Sequence, residues 1–177
     1  MKYLIASDIH GSNFYAKIID KLIMEEKPDK LILLGDLYYH GPRNPLPLEY
    51  NPKEVSNILN KHKDIIYAVK GNCDAEVDQM ISLFKIRNHL KLKINNKMFM
   101  FTHGHKYNFD NIPSGIDVLV YGHFHTCFIK EKDNVICVNA GSITLPKEDT
   151  PHSYILIQDN ELIIKNVLNE IVNKIKF

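Results

Sequence analysis

Five short apolar runs set the rhythm of this chain: Tyr3-Leu4-Ile5-Ala6, Leu31-Ile32-Leu33-Leu34, Ile65-Ile66-Tyr67-Ala68-Val69, Met98-Phe99-Met100-Phe101 and Val118-Leu119-Val120-Tyr121. Runs of this length without polar alternation read as strands buried on both faces. Between the first two, Phe14, Ala16, Ile18, Ile19, Leu22 and Ile23 recur at helical spacing. That predicts a helix over residues 12–26, capped by Ser12 and ended by Pro28. Residues 53–61 read as a second helix, and residues 75–83 as a short helix or loop. From 89 to 102 the period changes to two, with Asn95-Asn96 as a hairpin turn. Further strands are expected at 127–130, 135–138, 153–158 and 162–167, with Asp159-Asn160 as a turn. Residues 169–177 read as a strand extension or a fraying helix. The stretch 37–52 has no period and carries Pro42, Pro45, Pro47 and Pro52. A long irregular loop in a compact domain is usually functional, the bland alternative being a proline-stiffened surface excursion.

Length and composition narrow the class. With 177 residues, 45% of them hydrophobic, the chain suits one globular domain with a full core. A net charge of +1 offers no broad surface for a polyanion. Cys73, Cys127 and Cys137 show no CxxC spacing, which argues against a disulfide framework or a zinc knuckle. No basic-then-apolar leader precedes Asp8 and no apolar run reaches membrane length, so the expectation is a soluble cytoplasmic protein without membrane contact.

Chemistry collects where the apolar runs stop. Each is followed by a glycine-flanked Asp, Asn or His: Ser7-Asp8-Ile9-His10-Gly11, Gly35-Asp36, Gly71-Asn72-Cys73-Asp74, Thr102-His103-Gly104-His105 and Gly122-His123-Phe124-His125. Any one of these histidines alone reads as a solvated loop residue. Five such pieces, each ending an apolar strand, describe one site, because α/β sheets bind ligands beyond the carboxyl ends of their strands. Carboxylate, amide and imidazole ligands converging there imply divalent metal.

The order Asp-x-His, Gly-Asp, Gly-Asn-x-Asp, His-Gly-His, Gly-His-x-His resembles the calcineurin-like metallophosphoesterase superfamily. Within it, SDIHGS, GDLYYHGPRNPLP, GNCDAEVDQM, THGH and YGHFHT resemble the YfcE-like bacterial phosphodiesterases, and the likeness spans nearly the whole chain. The resemblance implies an α/β fold, a sandwich of two mixed sheets flanked by helices, as a single domain over 1–177. It assigns Asp8, His10 and His125 to one metal and Asn72, His103 and His123 to a second, with Asp36 bridging both. His105 is expected to support the site or to be solvated. Mixed N/O ligands suit Mn²⁺ first, with Fe, Co²⁺, Ni²⁺ or Zn²⁺ as alternatives. Such ions, about 3.5–4 Å apart, lower the pKa of bound water towards about 7. The implied activity is that of a phosphoric diester hydrolase: a hydroxide bridging the two metals attacks a small-molecule phosphodiester.

One position departs from much of the superfamily, where His follows Gly-Asn; here it is Cys73, a poor proton donor. Asp74 reads either as orienting a neighbour or as structural. His40 and Arg43 are candidates for the substrate phosphate, the rival for Arg43 being a loop salt bridge. Two readings from other classes stand beside the enzyme. One is a non-catalytic protein-binding scaffold like the small retromer subunit, against which all seven ligand positions keep coordinating side chains. The other is a nuclease, against which the near-neutral charge counts. Nucleic acid is therefore not an expected partner, and self-association is left open.

Overall fold

In the computed structural model, which describes residues 1–177, the apolar runs are strands and the helical pattern is a helix. In chain order the elements are β1 (Tyr3–Ala6), α1 (Asn13–Glu26), β2 (Lys30–Leu33), α2 (Pro52–Lys61), β3 (Ile66–Val69), α3 (Glu76–Ile81), β4 (Ile86–Arg87) and β5 (Leu90–Ile94). There follow β6 (Lys97–Phe101), β7 (Val118–Tyr121), β8 (Cys127–Lys132), β9 (Val135–Ala140), β10 (Ser153–Gln158), β11 (Glu161–Asn166) and β12 (Ile171–Lys176). The Ser12 hydroxyl accepts the Tyr15 N–H at 3.3 Å, capping α1. Lys27 then leaves the helix in the left-handed region, φ 48°, one residue before Pro28. Asn51 caps α2 by accepting the Glu54 N–H at 3.2 Å, with Pro52 at the first position, where its missing N–H leaves nothing unpaired. Asn95-Asn96 and Asp159-Asn160 have positive φ at both residues, the turn that matches strand twist in two-residue hairpins.

Two mixed sheets result. The first has the order β12-β11-β10-β1-β2-β3-β4, the second β5-β6-β7-β9-β8. Strands β1, β2 and β3 run parallel, as do β6, β7 and β9. Tyr3, Ile5, Ile32 and Leu34 face the gap between the sheets and pack with Phe99, Phe101, Val118 and Val120. Their neighbours Leu4, Ala6, Leu31 and Leu33 face outward beneath Ile19 and Leu22 of α1 and Val55 and Leu59 of α2. Burial on both faces is why these strands read as unbroken apolar runs.

The sandwich matches the expectation, with one difference in its cover. The large helices lie on the first sheet only. The outer face of the second, with Met100, Leu119, Tyr121 and Cys137, is covered by Tyr107, Phe109, Ile112 and Ile116 of the β6–β7 connection. Of the two readings for the C-terminal stretch, the strand is found, as β12. Two-residue β4 escaped the pattern because it is too short to show a period. No helix is long and apolar enough to cross a membrane.

Candidate metal centre

Strands β1, β2 and β3 of one sheet and β6 and β7 of the other end at a common point. There the backbone takes an unusual course: Asp8, His10, Asp36, His123 and His125 all have left-handed φ, at 57°, 51°, 53°, 70° and 64°. Asp, Asn and His tolerate this region better than other side chains, yet each such residue costs of order 1–3 kcal/mol unless its surroundings hold it. They do. The Asp74 carboxylate accepts the N–H groups of Asp36 (2.8 Å), Leu37 (2.8 Å) and Gly71 (2.7 Å), fixing the Asp36 turn. Asp74 is thus a turn-organising residue. The Ser142 and Thr144 hydroxyls donate to the carbonyls of Asp8 (2.9 Å) and Ile9 (3.0 Å). At Gly71 a Cβ would overlap the Asp36 carboxylate, and at Gly122 it would overlap Ser7 and Asp8, so close approach alone requires glycine at both.

The seven sequence-predicted ligand residues come together. Around Asp8, Oδ1 lies 3.3 Å from His125 Nε2 and 3.6 Å from His10 Nε2, and the two imidazole nitrogens are 3.2 Å apart. Around His103, Nε2 lies 3.0 Å from Asn72 Oδ1 and 3.2 Å from His123 Nδ1. Asp36 stands between the groups, its Oδ2 3.4 Å from His103 Nε2 and 3.8 Å from His10 Nε2.

The donor chemistry of this set fits cations. Nδ1 of His10, His103 and His125 faces the carbonyls of Tyr39 (2.9 Å), Leu34 (2.7 Å) and Leu145 (2.6 Å). A carbonyl only accepts, so each Nδ1 carries hydrogen and each Nε2 turns a lone pair inward. Lone pairs then face lone pairs, and buried Asp8 Oδ1 accepts no hydrogen bond at all. Ligand atoms around a first-row ion at about 2.0–2.2 Å sit roughly 3 Å from one another, as these do. Groups formed by Asp8, His10 and His125 and by Asp8, Asp36 and His103 have spacing suited to a metal. Without metal, protons serve the same need. Burial works against charge on His103, but its contact with Asp36 and the charges of Asp8 and Asp36 raise it to about 9. Burial and the His103 charge push His123 down to about 4. Burial would raise Asp8, but His10 and His125 outweigh it and hold the carboxyl well below its usual range.

A cleft of about 640 Å³ opens over Asp36, Asn72, His123 and His125, walled by Tyr39, Arg43, Phe124 and Lys147 among others. Arg43 is on this wall, exposed and without an ion pair, so the loop salt bridge is not formed. His40 is placed differently from expectation. Its ring packs edge-on against Tyr39 and Tyr50, with centroids 4.8 and 5.2 Å away, rather than on the cleft wall. Cys73 does line the cleft; burial, then the charge of Asp36, pushes its thiol up to about 12. Lys147 and the Ser142–Thr144 support escaped the sequence reading. Their signal was a further apolar strand, β9, that also ends in a polar, glycine-containing piece, Asn139-Ala140-Gly141-Ser142.

Known proteins are similar to this chain in sequence and fold. Phosphodiesterase YfcE of Escherichia coli (strain K12) is 39% identical over 173 residues, covering 96% of this chain and 94% of the relative. The solved structure of Yfce, a phosphoesterase from E. coli, superposes with a TM-score of 0.96 at 34% identity, covering 99% of both chains. Vacuolar Protein Sorting 29 from Cryptosporidium parvum shares the fold alone, with a TM-score of 0.66 at 16% identity over 99% of this chain and 98% of that one. The profile of the calcineurin-like phosphoesterase superfamily domain matches residues 1–161, over the strand ends that build the centre. The chain belongs to the calcineurin-like phosphoesterase superfamily.

Proposed function

We propose that this chain is a metal-dependent phosphoesterase that favours phosphodiesters, working as one domain over 1–177. The observation that carries the reading is the set of lone pairs converging on both sides of Asp36, with Asp8, His10, Asp36, His103 and His125 buried, a set that only cations or bound protons can satisfy. In this reading Asp8, His10 and His125 hold one ion, Asn72, His103 and His123 another, and Asp36 serves both. Mn²⁺ is the first choice for such mixed ligands, with Fe, Co²⁺, Ni²⁺ and Zn²⁺ as competitors. Bound there, the ions supply an activated water and neutralise charge on the phosphoryl oxygens.

The chain's own groups do the rest. The Leu34, Tyr39 and Leu145 carbonyls hold three imidazoles in the tautomer that leaves Nε2 free. Arg43 and Lys147 place positive charge on the cleft wall, where a diester anion enters. The Cys73 thiol keeps its proton and gives no efficient acid to a leaving group, which favours esters with acidic leaving groups. A protein-binding scaffold needs none of these ligands, and seven coordinating side chains in one place count against it.

The test is reconstitution of metal-free protein with each ion, followed by kinetics on bis(4-nitrophenyl) phosphate and 4-nitrophenyl phosphate. Metal-dependent turnover with a preference for the diester is expected. Metal binding without turnover of either ester would leave only the scaffold reading.

A further inference from the structure

The centre opens on two sides. Besides the cleft walled by Arg43 and Lys147, a second cleft of about 610 Å³ lies on the other flank, lined by Lys70, Asn88, His89, His105, Lys106 and Tyr107 among others. Asn72, exposed at the surface, borders both. We propose that this second, basic cleft binds a further phosphate carried by one arm of the substrate. The diester hydrolysed would then belong to a compound with a second anionic phosphate beyond the scissile one. This deepens the phosphodiesterase reading above and rests on it.

Three observations carry it. First, two ammonium groups, Lys70 and Lys106, line this one cleft, and like most lysines of the chain neither is tied up in an ion pair with a carboxylate. Unpaired ammonium groups beside a polar cleft are suited to a phosphate that arrives with the substrate. Second, the one carboxylate on the lining, Asp74, is buried, and its oxygens accept three backbone N–H groups, so it is turned away from the cleft's contents. Third, the two clefts differ in character. The first offers the aromatic rings of Tyr39 and Phe124, whereas in the second Tyr107 is the sole apolar lining residue, with Asn88, His89 and His105 adding hydrogen-bonding groups. A diester lying across the centre would place its arms in unlike surroundings, one ring-bearing and one anionic.

Thymidine 5′-(4-nitrophenyl phosphate) and the same compound carrying a 3′-phosphate share scissile bond and leaving group, so they isolate the second phosphate. With metal-reconstituted protein, the 3′-phosphorylated compound should show a KM about tenfold lower at similar kcat. That advantage should shrink to within about twofold in the Lys70→Ala/Lys106→Ala variant and fade with added salt. The variant should hydrolyse bis(4-nitrophenyl) phosphate like the parent, which also shows that it is folded. Equal KM values in the parent, or an advantage that survives in the variant, would overturn the proposal. Calorimetric titration of the loaded protein with thymidine 3′,5′-bisphosphate and with thymidine 5′-monophosphate separates the two readings. A preference of about tenfold for the bisphosphate, lost in the variant, supports the cleft even if neither diester is hydrolysed; the hydrolytic reading alone would then fail. Equal affinity for the two nucleotides would overturn the cleft assignment.

Discussion

Asp36 is the side chain on which both halves of the centre lean: one oxygen faces His103 and His10, the other accepts the Cys73 N–H at 2.8 Å. Asp36→Asn keeps the shape and tolerates the left-handed backbone but removes the charge. It is expected to lower metal content at both groups and kcat/KM by about three orders of magnitude, with the fold kept, as elemental analysis, kinetics and circular dichroism would check. Cys73 makes the opposite prediction. Because its thiol stays protonated, Cys73→Ala should retain activity on nitrophenyl diesters to within about threefold. Cys73→His should gain about 10–10²-fold on esters with basic leaving groups, read as rate against leaving-group pKa. His103 gives a pH dependence. Its pKa in the metal-free fold, about 9, lies above the ordinary 6.5, so its proton stabilises that fold at low pH. This contribution is complete below about 6.5 and is lost as pH rises through 9. Metal must displace that proton, so the affinity of the metal-free protein should rise by about tenfold per pH unit through the neutral range and level off near 9, as ion titrations at several pH values would test. These candidates were legible because five apolar runs each end in a glycine-flanked Asp, Asn or His, whereas one such ending alone reads as an ordinary turn. His40 was misplaced because packing against Tyr39 and Tyr50, which no local pattern encodes, turns its ring off the cleft wall.

At the scale of elements, the site is a set of strand ends whose turns are held by groups outside the ligand set. Asp74→Asn puts an amide N–H₂ against backbone N–H donors that now share two carboxylate oxygens. The expected loss is about 1–3 kcal/mol in denaturant unfolding of the metal-free protein, together with weaker metal binding. Five of the strand ends could be read in the chain because their side chains face the ligand point. The sixth, after β9, could not: Ser142 and Thr144 spend their hydroxyls on the Asp8 and Ile9 carbonyls, and Asn139 donates to the Gly122 carbonyl. Such support looks like any polar loop until the partner strands are in place. The course of the proline-rich loop was equally hidden. It returns because Asn13 N–H reaches the Glu49 carbonyl and Asn51 N–H the Gly11 carbonyl, contacts that pin its C-terminal end beside the start of α1.

Over the whole molecule, the strand pattern foretold a layer on each side of the buried runs, and the family resemblance made one of those layers a second sheet. It did not foretell that one outer face would be covered by the β6–β7 connection, whose Tyr107, Phe109, Ile112 and Ile116 follow no period. The division of the candidate ligand residues between the layers has a mechanical consequence. Asp8, His10, Asp36 and Asn72 come from the first sheet, while His103, His123 and His125 come from the second. Where both ions bind, they clasp the two layers at one end, like a rivet through two plates. Each ion present at about a hundred times its dissociation constant adds about 2.7 kcal/mol, so a chelator should lower the melting temperature of a single cooperative transition. The loss should also be local. Without the rivet the plates should gape at that end: amide exchange should quicken at the carboxyl ends of β1, β2, β6 and β7, while β11 and β12, out at the far edge of the first sheet, exchange as before.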